Sequence, residues 1–323
     1  AILFSRNLDG DWEKLARLNA EIDANRPDDA TPVFIAVDQE GGRVRRVKGE
    51  GVTPIPPMLR VGQCKDTDLA ARVGEVIASE LAALGFNLNF APVLDIWTNP
   101  DNQVIGDRAF GTTPEQVSAM AGALTVGHYT AGVCPCGKHF PGHGDTLADS
   151  HYELPVLAHD PQELRQRELL PFRRAIAAGI PMIMTAHILI PALDTVHPIT
   201  LSQAGVRRML RQEMGYKGVV ISDDLEMKAI ADRYEIEEVV ALGLAAGIDI
   251  FLICHTEALW KRAHAALVDL GQTQPWAAQA IKEAAQRVRQ LKTNYLPAQP
   301  YKPGDLTSQL NTPEHRAVME LIP

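Results

Sequence analysis

One pattern constrains this chain more than any other. A short apolar run is followed by an amphipathic stretch with helical spacing, and the pair repeats through most of the sequence. The runs are Ile2-Leu3-Phe4 and residues 33–37, 88–96, 133–140, 182–185, 219–222 and 248–253. Continuous runs rich in Val, Ile and Phe predict strands buried on both faces, as in a parallel sheet covered by helices. The helices carry start signals. Thr113-Pro114-Glu115-Gln116 supplies a cap, a first-turn proline and a capping-box partner, and Asp160-Pro161-Gln162-Glu163 repeats the device. Ser202 can cap a helix through Val206, Met209 and Leu210. Val73, Val76, Ile77, Leu81 and Leu84 form one stripe that stops at Gly85.

Strand alternating with helix, without a break in composition, predicts one α/β domain. Seven runs fall one short of a (β/α)8 TIM-type barrel, so a single-domain barrel lacking its first strand at the N-terminus is the expected fold. An open doubly wound sheet is the alternative, but its G-x-G-x-x-G and G-x-x-x-x-G-K-[ST] signatures are missing. The catalytic barrel is expected over residues 1–291. Residues 292–323 read as a proline-containing tail with a short terminal helix opened by Thr312-Pro313-Glu314.

Composition narrows the function. A net charge of -9 argues against nucleic acid or an anionic membrane as partner. Four cysteines exclude a disulfide scaffold and fit a reducing compartment. Neither a secretory leader nor a run long enough to span a bilayer is evident. The expected location is cytoplasmic, with the mature form of an exported protein as the other possibility.

Polar residues recur where apolar runs end: Asp38-Gln39-Glu40, Asp95, Lys138-His139, His187 and Asp223-Asp224. One such ending is ordinary surface polarity, but five fit the mouth of a barrel active site. The densest stretch is Lys138-His139-Phe140-Pro141-Gly142-His143-Gly144-Asp145-Thr146, continuing to Asp149-Ser150-His151. Its glycines and prolines predict a shaped loop. A carboxylate at Asp149 can orient the imidazole of His151 and raise its basicity, making a proton shuttle near neutral pH. Of Asp223 and Asp224, one can face the mouth while the other caps the next helix. A carboxylate at the mouth can be a nucleophile, a base or a metal ligand. Asp38 precedes a Gly-Gly turn and can accept from vicinal sugar hydroxyls, with Arg46 and Arg108 as cationic partners. Cys134-Pro135-Cys136 reads as two small buried hydrophobes.

Together, the segments 138–151, Asp38-Gln39-Glu40-Gly41-Gly42-Arg43 and Ser222-Asp223-Asp224-Leu225 resemble glycoside hydrolase family 3. Within it they resemble the β-N-acetylglucosaminidases of bacterial cell-wall recycling. The resemblance runs from Ala1 to about Leu291 and includes motif order and spacing. It implies a retaining enzyme that removes terminal N-acetylglucosamine from muropeptides through a covalent glycosyl-enzyme. Asp223 is then the nucleophile, His151 paired with Asp149 the acid and base, and Asp38, Arg46, Arg108, Lys138 and His139 the substrate holders. No cofactor or metal is implied. The partner is a small carbohydrate, a disaccharide or muropeptide, and the chain is expected to be a monomer. Other readings are a family-3 glycosidase of different specificity (a β-glucosidase or a phosphorolytic enzyme), a metal-dependent barrel hydrolase using His139, His143, Asp145, Asp149 and His151, and a non-catalytic sugar-binding barrel.

Overall fold

The computed structural model describes residues 1–8, 10–26, 31–146, 150 and 153–323. Six strands pair in parallel, in sequence order, as one curled sheet: β1 (Ala36–Val37), β2 (Leu88–Asn89), β3 (Cys134–Phe140), β4 (Met182–Thr185), β5 (Val219–Asp224) and β6 (Ile250–Leu252). Register runs from Ala36 to Leu88, Leu88 to Cys134, Cys136 to Met182, Met182 to Val219 and Ile221 to Ile250. Helices cover the outside, as the apolar strands require. The fold is an α/β domain of the TIM-barrel type.

Several runs are shorter as strands than their hydrophobicity suggests. Residues 33–37 contribute only β1, and the run at 88–96 contributes only β2 plus a bridge from Val93 to Lys138. Pro92 interrupts that run, because it has no N–H to donate to a ladder. Ile2-Leu3-Phe4 gives a single parallel bridge, Ile2 to Ala36. Opposite it, side chains connect the two edges: Phe4 stacks at 5.4 Å from His255, and Arg6 donates to the Cys254 carbonyl at 2.7 Å.

The predicted caps form. Thr113 accepts from Gln116, Asp160 from Gln162 and Glu163, and Ser202 from Gly205. The helix Thr67–Ala83 packs against Pro114–Thr130 with almost no space between backbones. A Cβ on Gly74 would lie 2.2 Å from the Leu124 carbonyl oxygen, and one on Gly127 2.1 Å from that of Ala71. Glycine is what permits this approach.

Strand alternation sorts the core into two layers. Ala36, Leu88, Cys134, Cys136, Met182, Met184, Val219 and Ile221 fill the inside of the curl, with Val288 and Leu291 of the helix Pro275–Tyr295 packed against them. Val37, Phe140, Ile183 and Val220 face the outer helices, where Phe140 meets Phe172 edge to face at 5.3 Å. The two cysteines are free and buried, and burial pushes both thiols up. The helix through Leu291 runs on to Tyr295. The chain then crosses the first helices. Tyr301 donates its N–H to Asp23, Glu80 accepts from Asn311 and His315, and Leu306, Leu310, Val318 and Ile322 join the outer core.

Candidate active site

Inward periodicity continues past the apolar layers to the C-terminal ends of the strands. Asp38 and Glu40 continue the inward series of Ala36, Lys138 that of Cys134 and Cys136, and Asp223 that of Val219 and Ile221. These side chains line a cleft of about 210 Å³ together with Arg46, Arg108, His139, His143 and Asp224.

Its floor is an ion network. Lys138 Nζ lies 2.7 Å from Asp38 Oδ1 and 2.6 Å from Glu40 Oε1. Arg108 forks onto Glu40, with Nε and Nη2 each 2.8 Å from a carboxylate oxygen. Burial alone would neutralise Glu40. Arg108 and Lys138 outweigh it and hold the carboxyl far below the usual glutamate range. Burial likewise works against charge on Lys138, but Asp38 and Glu40 raise its pKa. Arg46 stands on the rim, 3.9 Å from Asp38. Its neighbour Arg43 turns the other way, onto Asp107 at 3.1 Å and the carbonyls of Gln103 and Val104.

A second network orients His139. Asp95 is fully buried and accepts from His139 Nδ1 at 2.7 Å, from the His139 backbone N–H at 3.2 Å and from that of His143 at 2.7 Å. Burial raises the Asp95 carboxyl, but His139 and His143 outweigh it and keep it ionised. The other ring nitrogen of His139 is thereby left toward the cleft, 3.4 Å from Arg108. The peptide between Lys138 and His139 is cis.

Asp223 is the carboxylate at the mouth. Its Oδ1 accepts from the Asp224 N–H at 2.8 Å. Burial opposes its charge, yet His139, His187, that N–H and Lys138 together lower its pKa. Asp224 differs. Burial raises its pKa, and it caps Glu226 at 3.1 Å and meets His255 at 3.2 Å. Adjacent carboxylates are thus pushed apart, one anionic inside the cleft and one structural at its edge.

Asp149 and His151 lie outside the described residues. Five of the expected site residues, Asp38, Arg46, Arg108, Lys138 and His139, share the cleft with Asp223. Glu40, which the sequence marks only as part of the polar strand end at 38–40, joins them, since its place two residues after Asp38 puts it on the same face. Phe4 of the first apolar run and His255 also line the cleft, and His255 carries no sequence signal. Of the alternative metal set, the three described members have separate protein partners: His139 Nδ1 bonds Asp95, His143 bonds Thr146 and Ser150, and Asp145 bonds Thr98, His159 and Arg167. Among the described residues, no three His, Cys, Asp or Glu side chains converge as a metal site.

Comparison with known proteins agrees with this geometry. The profile of the glycosyl hydrolase family 3 N terminal domain matches residues 1–291. A β-hexosaminidase A from Pseudoalteromonas piscicida is 37% identical over 98% of this chain, and the match spans 56% of that protein. A solved family 3 β-N-acetylglucosaminidase from Paenibacillus sp. str. FPU-7 superposes with a TM-score of 0.88 at 38% identity, over 99% of this chain and 61% of that one. NagZ from Neisseria gonorrhoeae, solved with N-trifluoroacetyl-D-glucosamine, superposes with a TM-score of 0.80 at 35% identity, over 99% of this chain and 88% of that one. The chain therefore spans little more than half of the first two relatives. With motif order, barrel and cleft in agreement, this chain belongs to glycoside hydrolase family 3.

Proposed function

We propose that this chain is a retaining β-N-acetylglucosaminidase that releases terminal N-acetylglucosamine from peptidoglycan-derived muropeptides. The observation that carries the reading is Asp223: a half-buried carboxylate held ionised at the mouth, in the same cleft as the Lys138–Asp38 pair. A nucleophile needs that charge state. In the first step an Asp223 oxygen bonds to the anomeric carbon, the glycosidic C–O bond breaks, and the leaving oxygen takes a proton from His151. In the second step His151, oriented by Asp149, removes a proton from water. That water attacks the same carbon, and the ester to Asp223 breaks with configuration retained. Most retaining glycosidases use two carboxylates, and the imidazole takes the place of one here.

Asp38 accepts from sugar hydroxyls with its free lone pairs. Lys138 spends two of its three protons on Asp38 and Glu40 and keeps one for the substrate. Arg108, His139 and Arg46 supply the other donors around the cleft. Four unpaired thiols fit a cytoplasmic site of action, and the substrate class fits a role in cell-wall recycling by a monomer.

The test is turnover of an aryl β-N-acetylglucosaminide by Asp223→Asn. A loss of about a thousandfold or more is expected, and a slow fluorosugar is expected to label Asp223 in the native chain. Substantial remaining activity, or a label elsewhere, would sink the assignment. Preference for an aryl glucoside, or dependence on phosphate, would move the reading to another family 3 specificity.

A further inference from the structure

His143 belongs to the motif that carries the expected acid and base, yet the mechanism above leaves it unused. Its ring is buried, and it joins two points of the chain on either side of residues 147–149. Nδ1 lies 2.6 Å from the Thr146 hydroxyl and Nε2 lies 3.3 Å from the Ser150 hydroxyl. Thr146 and Ser150 are themselves buried. Ser150 is the residue that joins Asp149 to His151.

The bracket is anchored on every side. The His143 N–H donates to Asp95, the same carboxylate that orients His139. Its carbonyl accepts from Asn102 at 2.7 Å and from the Thr146 hydroxyl at 3.0 Å. The Ser150 carbonyl accepts from the Ala229 N–H at 3.2 Å, beyond β5 and its Asp223. One residue on, Gly144 presses against the strand end, where a Cβ would lie 1.7 Å from the Ile96 carbonyl oxygen.

Proton counting fixes the ring's state. The single Thr146 hydroxyl proton goes to the His143 carbonyl, so Thr146 accepts from Nδ1–H. Burial lowers the ring pKa to about 4, with His139 and Arg108 also opposing charge and Asp95 favouring it. At neutral pH the ring is uncharged, and Nε2 accepts from Ser150. Ser150 thus has one donor direction, toward a ring that Asp95 and Asn102 hold still.

We infer that His143 is a positioning residue: by holding Thr146 and Ser150 it sets the point from which the Asp149–His151 pair reaches the scissile oxygen. The inference rests on the acid/base reading of that pair. A displacement of about 1 Å in a catalytic group can cost on the order of a hundredfold in rate. Only steps that need the proton suffer.

The experiment compares kcat/KM on two N-acetylglucosaminides, one with a dinitrophenyl leaving group that departs without a proton and one with a phenyl group that needs it. His143→Leu is expected to lose about 10- to 100-fold on the phenyl glycoside and about threefold or less on the other. His143→Gln, whose amide can still reach Ser150, is expected to recover part of the loss. Ser150→Ala removes the same bond from the other end and serves if His143→Leu does not fold. Equal losses on both substrates, or no loss, would overturn the inference, since a purely structural role lowers Tm without changing leaving-group dependence. His151→Ala is measured beside them. If it shows leaving-group dependence and the His143 and Ser150 variants do not, the positioning role alone fails. If His151→Ala shows none, the acid/base reading fails and this inference with it.

Discussion

Glu40 offers the sharpest test of the network beneath the cleft. Its carboxylate is buried, takes two hydrogen bonds from Arg108 and one contact from Lys138, all within 2.8 Å. Glu40→Gln keeps the shape but leaves Arg108 without its carboxylate, while Lys138 retains Asp38. Removing one partner of a buried pair costs about 3–5 kcal/mol, and the surviving Asp38 contact argues for about 3. Unfolding entropy of about 2.1 cal/mol/K per residue gives about 0.7 kcal/mol/K for this chain, so Tm should fall by about 4 °C at neutral pH. The pH dependence has a definite sign. The folded carboxyl titrates far below its unfolded value of about 4.3, so its stabilisation is complete above that pH and fades as the pH falls. The gap between native and variant chains should therefore shrink by about 1.4 kcal/mol for each pH unit below about 4.3. Thermal melts at pH 7 and pH 3.3 measure both quantities. A shift under about 1 °C at pH 7, or a gap that widens in acid, would refute the reasoning.

Three further outcomes follow from other parts of the molecule. Asp95→Asn replaces one acceptor oxygen with an NH2 opposite three donors, so His139 should lose its orientation and kcat/KM should fall about tenfold or more, measured on an aryl N-acetylglucosaminide. Gly74→Ala should lower stability by about 1–3 kcal/mol despite alanine's better helix propensity, because its Cβ meets the rigid Leu124 carbonyl; a chemical denaturation curve decides. Dialysis against a strong chelator should leave turnover unchanged, because among the described residues no three His, Cys, Asp or Glu side chains converge as a metal site; loss of activity restored by a metal would revive the metal-dependent reading.

The barrel class and most of the cleft were legible in the residues alone. Apolar runs bounded by capped helices leave a covered parallel sheet as the natural arrangement, and a period of two carries the inward face from Cys134 and Cys136 to Lys138 and from Val219 and Ile221 to Asp223. Local spacing suffices there because strand geometry is local. Strand length was less legible: hydrophobicity marks burial, whereas a regular ladder also needs an unbroken row of N–H donors, which Pro92 interrupts in the run at 88–96, leaving only the Val93–Lys138 bridge beyond it.

The pairings came from folding. Glu40 meets Arg108 across 68 positions, and Asp95 meets His139 across 44. Of Arg43 and Arg46, packing turned the first to Asp107 and left the second at the cleft. The charge states follow from the same contacts, since burial and the facing cations separate Asp223 from Asp224 although the two are neighbours in the chain. Residue types and periodicity tell which groups reach the mouth. Which of them are charged, and which are free to act, depends on partners that folding brings from distant strands.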